Sequence, residues 1–162
     1  MESQASTAVS NHGTIPASEA KKLTGYQLIK GIMDGLFPVP PISKVLNFRL
    51  AEIEPGRAVF IGEPSIEYYN PIGSVHGGYA ATLLDSCMGC AVHTTLPAGV
   101  GYTTLEIKIN FVRAILEDSG PLTAEGKVIS VGKRIGTAEG RIFDTQNRLY
   151  AHGTTTCLIF PL

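Results

Sequence analysis

The sequence predicts an α+β fold in which a curved antiparallel sheet wraps one long buried helix, with a helical extension in front of it. Two observations predict it. Residues 79–96 carry Ala80, Ala81, Leu83, Leu84, Cys87, Met88, Cys90, Ala91, Val92 and Leu96 on nearly every side of a helix, so that helix must be enclosed. On either side of it lie short segments of alternating apolar and polar residues bounded by turn signals. These are strands arranged without the βαβ order of a parallel sheet.

Residues 1–16 are polar, lack the basic start and apolar stretch of a secretory signal, and are expected to form a disordered tail. Residues 17–44 form an N-terminal helical extension and linker. Ala20, Leu23, Leu28, Ile29, Ile32, Met33 and Leu36 recur at helical spacing, which predicts one or two short helices with Ser18 as a cap. Pro38, Pro40 and Pro41 cannot continue a helix. Residues 45–162 make the main domain. It opens with a predicted hairpin of strands 45–53 and 57–64 around the turn Glu54-Pro55-Gly56.

After the helix, residues 104–112 alternate cleanly. Leu105, Ile107, Ile109 and Phe111 are expected on one face and Thr104, Glu106, Lys108 and Asn110 on the other. Strands over 122–131, 134–144 and 148–160 complete a meander, with turns at Gly132-Lys133 and at residues 144–147.

At 162 residues the chain suits a single domain. Its 44% apolar and 17% charged residues, with no run near the roughly 18 apolar residues of a membrane span, predict a soluble protein. Thirteen basic against fourteen acidic side chains leave a net charge of -1, which offers nothing to nucleic acid or an anionic membrane. Three cysteines without framework spacing suit reduced thiols in a cytoplasm.

The chemically conspicuous residue is Asp85. Besides His93 it is the one side chain of the acidic and basic residue types within residues 79–96, and an isolated carboxylate in an apolar interior costs several kcal/mol unless it finds partners. Catalysis is one justification, because a partly desolvated carboxylate serves as nucleophile or general base; a hydrogen-bonded structural aspartate is the other. Upstream, the loop from Asn70 through Gly73 to His76-Gly77-Gly78 delivers glycines onto the helix start, where unpaired amides point outward. At Gly77 or Gly78 a substrate carbonyl can approach an amide closely, and one oxyanion donor is worth about 3 to 4 kcal/mol. Two helical turns separate these glycines from Asp85, about 11 to 12 Å along the axis, so the two groups are expected to meet across a two-fold axis between subunits.

The run Asn70-x-x-Gly73-x-x-His76-Gly77-Gly78, followed by Asp85 on a long helix, resembles the hotdog-fold thioesterases of the phenylacetate-pathway (PaaI-like) family. The resemblance continues through Thr103-Thr104-Leu105-Glu106, Asn110-Phe111-Val112-Arg113 and Val131-Gly132-Lys133-Arg134. It implies hydrolysis of an acyl-coenzyme A thioester without a cofactor, by a homodimer or homotetramer. Asp85 is then nucleophile or general base, and the Gly77 amide polarises the carbonyl. Asn70 helps place the carbonyl or the water, and Thr103 or Thr104 supports the water. Gly78, Arg113, Lys133 and Arg134 are implied contacts for coenzyme A, the three cations meeting its phosphates. Ala114 stands where the family often has proline, and Asn147 where glycine is common.

Other readings remain open at this level. His76 is either a general acid for the departing thiol or a brace for its loop. Cys87-x-x-Cys90 with His93 has ligand-like spacing but falls short of four zinc ligands. An enoyl-thioester hydratase of the same fold is a rival, although Tyr68 and Gly73 replace the Asp and His of that motif. A non-catalytic acyl-coenzyme A sensor is another. No Gly-x-Ser-x-Gly elbow or phosphate loop is present.

Overall fold

A computed structural model describes residues 12–162. The tail expected over residues 1–16 therefore lies, for residues 1–11, outside the described residues. At its end, His12 bridges Val39 in parallel and the Gly13 amide donates to the Val39 carbonyl at 3.0 Å.

The extension folds as three short helices, α1 (Ala17–Ala20), α2 (Gly25–Met33) and α3 (Pro41–Val45). The expected cap at Ser18 gives way to Thr24. Ser18 sits inside α1, whereas Thr24 accepts from the Gln27 amide at 3.2 Å and the Gln27 side chain accepts from the Thr24 amide at 3.0 Å. This reciprocal pair satisfies two donors at the start of α2. The strand expected from residue 45 begins only at Phe48. Pro41 at the first helical position presets the backbone for α3, and Asn47 then turns the chain with φ 44°.

The main domain is one six-stranded antiparallel sheet. Its strands are β1 (Phe48–Glu54), β2 (Arg57–Gly62), β3 (Val100–Phe111), β4 (Leu122–Val131), β5 (Ile135–Phe143) and β6 (Leu149–Pro161), in the spatial order β1-β2-β4-β5-β6-β3. Between β2 and β3 runs the long helix α4 (Gly77–His93), packed on the sheet as predicted. Leu83, Leu84, Cys87, Met88, Ala91 and Val92 are fully buried against small sheet residues, Ala58, Ala124, Ala138 and Ala151. Large side chains on the helix facing alanines on the strands give the interdigitation a close-packed core needs. Arg57 on β2 donates to Glu125 on β4 at 2.6 Å, tying the hairpin to the meander.

The helix is not enclosed on every side within one chain. Asp85 is exposed, and Ala81, Thr82, Ser86, Cys90 and His93 are half-buried. The premise of a carboxylate sunk in an apolar interior is thus corrected. The sheet covers one side of α4, and Asp85 lies at the margin of that packing, between strand β3 and the extension. Among the described residues no helix is long and apolar enough to cross a membrane.

The alternation over residues 104–112 also needs correction. Thr104 pairs with Cys157 but Glu106 pairs with Thr156, so Leu105 is the extra residue of a β-bulge. The bulge exchanges the faces of the strand. After it, Ile107 and Ile109 turn inward as expected; before it, Thr104 turns inward and Leu105 is exposed.

Candidate active site

The inward turn of Thr104 places its hydroxyl on Asp85. Thr104 Oγ1 donates to Asp85 Oδ1 at 2.8 Å, joining β3 to the middle of α4. Of Thr103 and Thr104, the bulge turns Thr104 towards Asp85, since Thr103 faces the opposite side of the strand and is exposed. A single hydrogen bond to one carboxylate oxygen leaves the other oxygen available to a reacting group.

Asp85 also lines an apolar cavity of about 200 Å³, together with Ser86, Cys90 and Tyr102 and side chains from β1, β2 and the extension. The Cys90 thiol is pushed up to about 12 by burial and, secondarily, by the charge of Asp85, so it stays protonated beside the carboxylate. Burial likewise holds the Tyr102 phenol well above its ordinary value. Among the described residues, Asp85 is the one carboxyl group on this cavity wall.

The glycine loop builds a second recess. A cavity of about 360 Å³ is lined by Asn70, His76, Gly77, Phe111 and Arg113, among others. Asn70 is committed to the loop itself. Its Oδ1 accepts from the Ile72 and Ser74 amides at 3.1 and 3.2 Å, and its Nδ2 donates to Ser74 Oγ at 3.1 Å. These bonds brace the loop beside Gly77 and use one of the two Nδ2 hydrogens. His76 caps α4, accepting from the Gly78 amide on Nδ1 at 2.9 Å. That bond occupies His76 Nδ1 and the Gly78 amide, which is the geometry of a loop brace.

With Gly78 engaged and Tyr79 donating to the His76 carbonyl at 2.9 Å, the Gly77 amide is left at the helix end with no acceptor among the described residues. The positive end of the helix dipole lies there too. A side chain at Gly77 would meet the Phe111 ring at 3.1 Å, so glycine keeps the amide approachable. Gly77 and Asp85 are eight residues apart on α4, which separates them by about 12 Å along the axis and about 80° around it. They open onto different cavities of one chain.

The proposed coenzyme A contacts are dispersed. Arg113 lines the glycine-side recess, its guanidinium 5.7 Å from the centre of the Tyr150 ring. Lys133 and Arg134 occupy the exposed β4–β5 turn and line neither cavity. Cys87, Cys90 and His93 diverge: Cys87 faces the core, Cys90 the Asp85 cavity, and the His93 ring packs 5.2 Å from Tyr102. Other large side chains near the helix line neither cavity. Leu84 and Met88 are fully buried, and Tyr69 and Tyr79 line a separate groove. The walls supplied by residues 29–43 escaped sequence reasoning, because nothing local shows that a proline-rich segment folds back over a distant carboxylate.

Thr104→Val keeps the side-chain volume and removes the hydroxyl from Asp85. Hydrogen bonds to charged groups are worth about 1.5–3 kcal/mol, so kcat is expected to fall about tenfold or more with little change in KM. Steady-state kinetics beside a melting curve checks this; unchanged kcat would show the bond to be incidental.

Comparisons with known proteins agree with this architecture. The model of the Thioesterase superfamily matches residues 72–151, the span from the glycine loop to β6. A provisionally named esterase of Saccharolobus solfataricus is 32% identical over 123 residues, 76% of this chain and 86% of its own length. Another, from Halobacterium salinarum, is 39% identical over 69 residues, 41% of this chain and 44% of its own length. Among solved structures, the PaaI protein of the E. coli phenylacetic acid degradation operon aligns with TM-score 0.73 at 20% identity, covering 83% of this chain and 95% of that one. A Streptococcus mutans protein solved with bound acetyl CoA aligns with TM-score 0.64 at 24% identity, covering 71% and 90%. The structural likenesses establish the hotdog fold.

Proposed function

Because the chain belongs to the thioesterase superfamily, we propose that it hydrolyses acyl-coenzyme A to the free acid and coenzyme A, with Asp85 at the chemical step. The observation that carries this reading is the Thr104–Asp85 hydrogen bond at the edge of an apolar cavity. It joins an oriented carboxylate to a space that accepts an acyl group. The bound acetyl CoA of the Streptococcus mutans structure supports a coenzyme A thioester as the ligand class.

In the reaction, the thioester carbonyl accepts a hydrogen bond from a Gly77 amide as negative charge develops on its oxygen. The Asp85 carboxylate either attacks the carbonyl carbon, expelling the thiolate and leaving an acyl anhydride that water cleaves, or removes a proton from the water that attacks. Water supplies the hydroxyl of the acid in both routes, and its proton goes to the thiolate. No cofactor is needed. Asn70 and His76 hold the loop that presents Gly77, Thr104 orients Asp85, and Arg113 stands where a phosphate of the substrate can be met.

Since Gly77 and Asp85 of one chain open onto different cavities, the complete site takes Gly77 from a second copy. β3 is an edge strand of the sheet, with its outer backbone groups unpaired and Leu105, Phe111 and Val112 exposed along and just beyond it. Pairing β3 with its copy would satisfy that edge and bring the two α4 helices side by side. A homodimer, or a tetramer of two such dimers, is therefore the working form. Cys87, Cys90 and Cys157 as free thiols suit a reducing, cytoplasmic compartment.

The hydratase rival finds no support in the site. Tyr68 stacks on Tyr79 at 5.1 Å and donates to the Val45 carbonyl, and Gly73 is a turn residue with φ 86°. Coenzyme A release followed with a thiol reagent over short, medium, long and aromatic acyl thioesters tests the proposal. Release with at least one class is expected. Tight binding without thiol release would identify a sensor instead.

A further inference from the structure

The cavity beside Asp85 is walled on one side by residues outside the superfamily match. Ile29 and Ile32 of α2, Val39 of the proline segment and Ile42 of α3 face Phe48 and Phe60 of the hairpin across it. The extension is fastened there. Ile29 is 3% exposed, the Gly25 amide donates to the Leu96 carbonyl at 3.0 Å, and a side chain at Gly25 would collide with the His93 carbonyl. A helix so closely seated on the end of α4 acts as a fixed wall.

From this we infer that the N-terminal extension sets the acyl specificity, limiting the enzyme to compact apolar acyl groups of about eight carbons, the capacity obtained by scaling from a 150 Å³ apolar cavity that holds benzene. The inference rests on the thioester-hydrolase reading and names the substrate class of that same site. The volume is about 200 Å³, and its lining is aliphatic and aromatic apart from Asp85 and a few neutral polar groups. A charged or hydroxylated acyl group would lose its hydration there without finding partners. A chain of twelve carbons or more would have to displace the extension, and each misfitting methylene costs roughly tenfold or more in specificity.

Two variants of the full-length protein test this with a series of saturated acyl-coenzyme A thioesters from two to sixteen carbons. Wild-type kcat/KM is expected to peak between six and ten carbons and to fall at least about tenfold by twelve. Ile32→Ala removes three carbons from the wall, so the peak is expected to move to chains about two to three carbons longer. Val39→Phe fills the same space, so the peak is expected to move to shorter chains.

A merely structural extension would depress all lengths in parallel. That outcome, a wild-type optimum at acetyl or palmitoyl, or an unmoved profile in both variants would overturn the inference. Calorimetric binding of non-hydrolysable acyl thioether analogues separates it from the catalytic reading. Failure of hydrolysis alone leaves the same chain-length order in binding, whereas failure of the wall abolishes that order even where thioesters are cleaved.

Discussion

Asp85→Asn is expected to lower kcat for acyl-coenzyme A hydrolysis by about 10² to 10⁴-fold, the range general-base or nucleophilic carboxylates supply, with melting temperature nearly unchanged. The reasoning is geometric. The amide keeps an oxygen at the position of Asp85 Oδ1, so the hydrogen bond from Thr104 survives. Asp85 is exposed within the subunit, so the isosteric change disturbs no packing. What disappears is the negative charge and basicity needed to attack a carbonyl or activate water. Steady-state kinetics at saturating substrate, paired with thermal denaturation, reads both quantities. Turnover within a few-fold of wild type would remove Asp85 from the chemical step and with it the proposed mechanism.

Gly126→Ala is expected to be the most destabilising single-methyl change in the sheet. Gly126 lies at the centre of β4, opposite Ala58 on β2 and Gly140 on β5, directly under α4. A Cβ there would collide with the carbonyl of Cys87 and lie 2.6 Å from the Met88 amide nitrogen, both backbone atoms of the helix. A flexible side chain could swing aside; a helix backbone must move as a body. Overpacking of this kind typically costs 1–3 kcal/mol, occasionally more, or about 2–4 °C of melting temperature per kcal/mol for a domain of this size. A drop of about 5–10 °C in a calorimetric scan is therefore expected, and a shift below about 2 °C would show that α4 is not held at this distance. Because α4 carries both Gly77 and Asp85, the same displacement is expected to impair catalysis in whatever fraction remains folded.

Much of this architecture is legible in the chain. The apolar run over residues 79–96 and the polar-apolar alternation on either side dictate a helix packed on antiparallel strands, because period and burial follow directly from side-chain sequence. The loop Asn70–His76–Gly77 is equally readable, since glycines before a helix leave approachable amides whatever the surroundings. Asp85 stands out by polarity alone. Its singular charge in an apolar helix was informative, although the physical premise of full burial was not met in a single chain.

Other features depend on contacts distant in sequence. The bulge at Leu105 comes from the pairing of β3 with β6, and it decides that Thr104, not Thr103, meets Asp85. Alternation within one strand cannot reveal an extra residue that exists only relative to its partner. His76 and Asn70 have residue types that suit chemistry or bracing, and only the folded chain shows the hydrogen bonds by which they brace the loop. The cavity wall formed by Ile29, Ile32 and Ile42 likewise arises from a proline-rich segment returning over β1 and α4.

The sequence by itself determined the fold class, the helix that carries the acid and the glycine that offers an amide, because local periodicity and residue chemistry suffice for these. Tertiary structure alone decided which threonine orients Asp85, that Gly77 and Asp85 of one chain open onto separate cavities, and which residues bound the space beside the acid. Those properties are distances between segments far apart in the chain, set by strand register and helix packing.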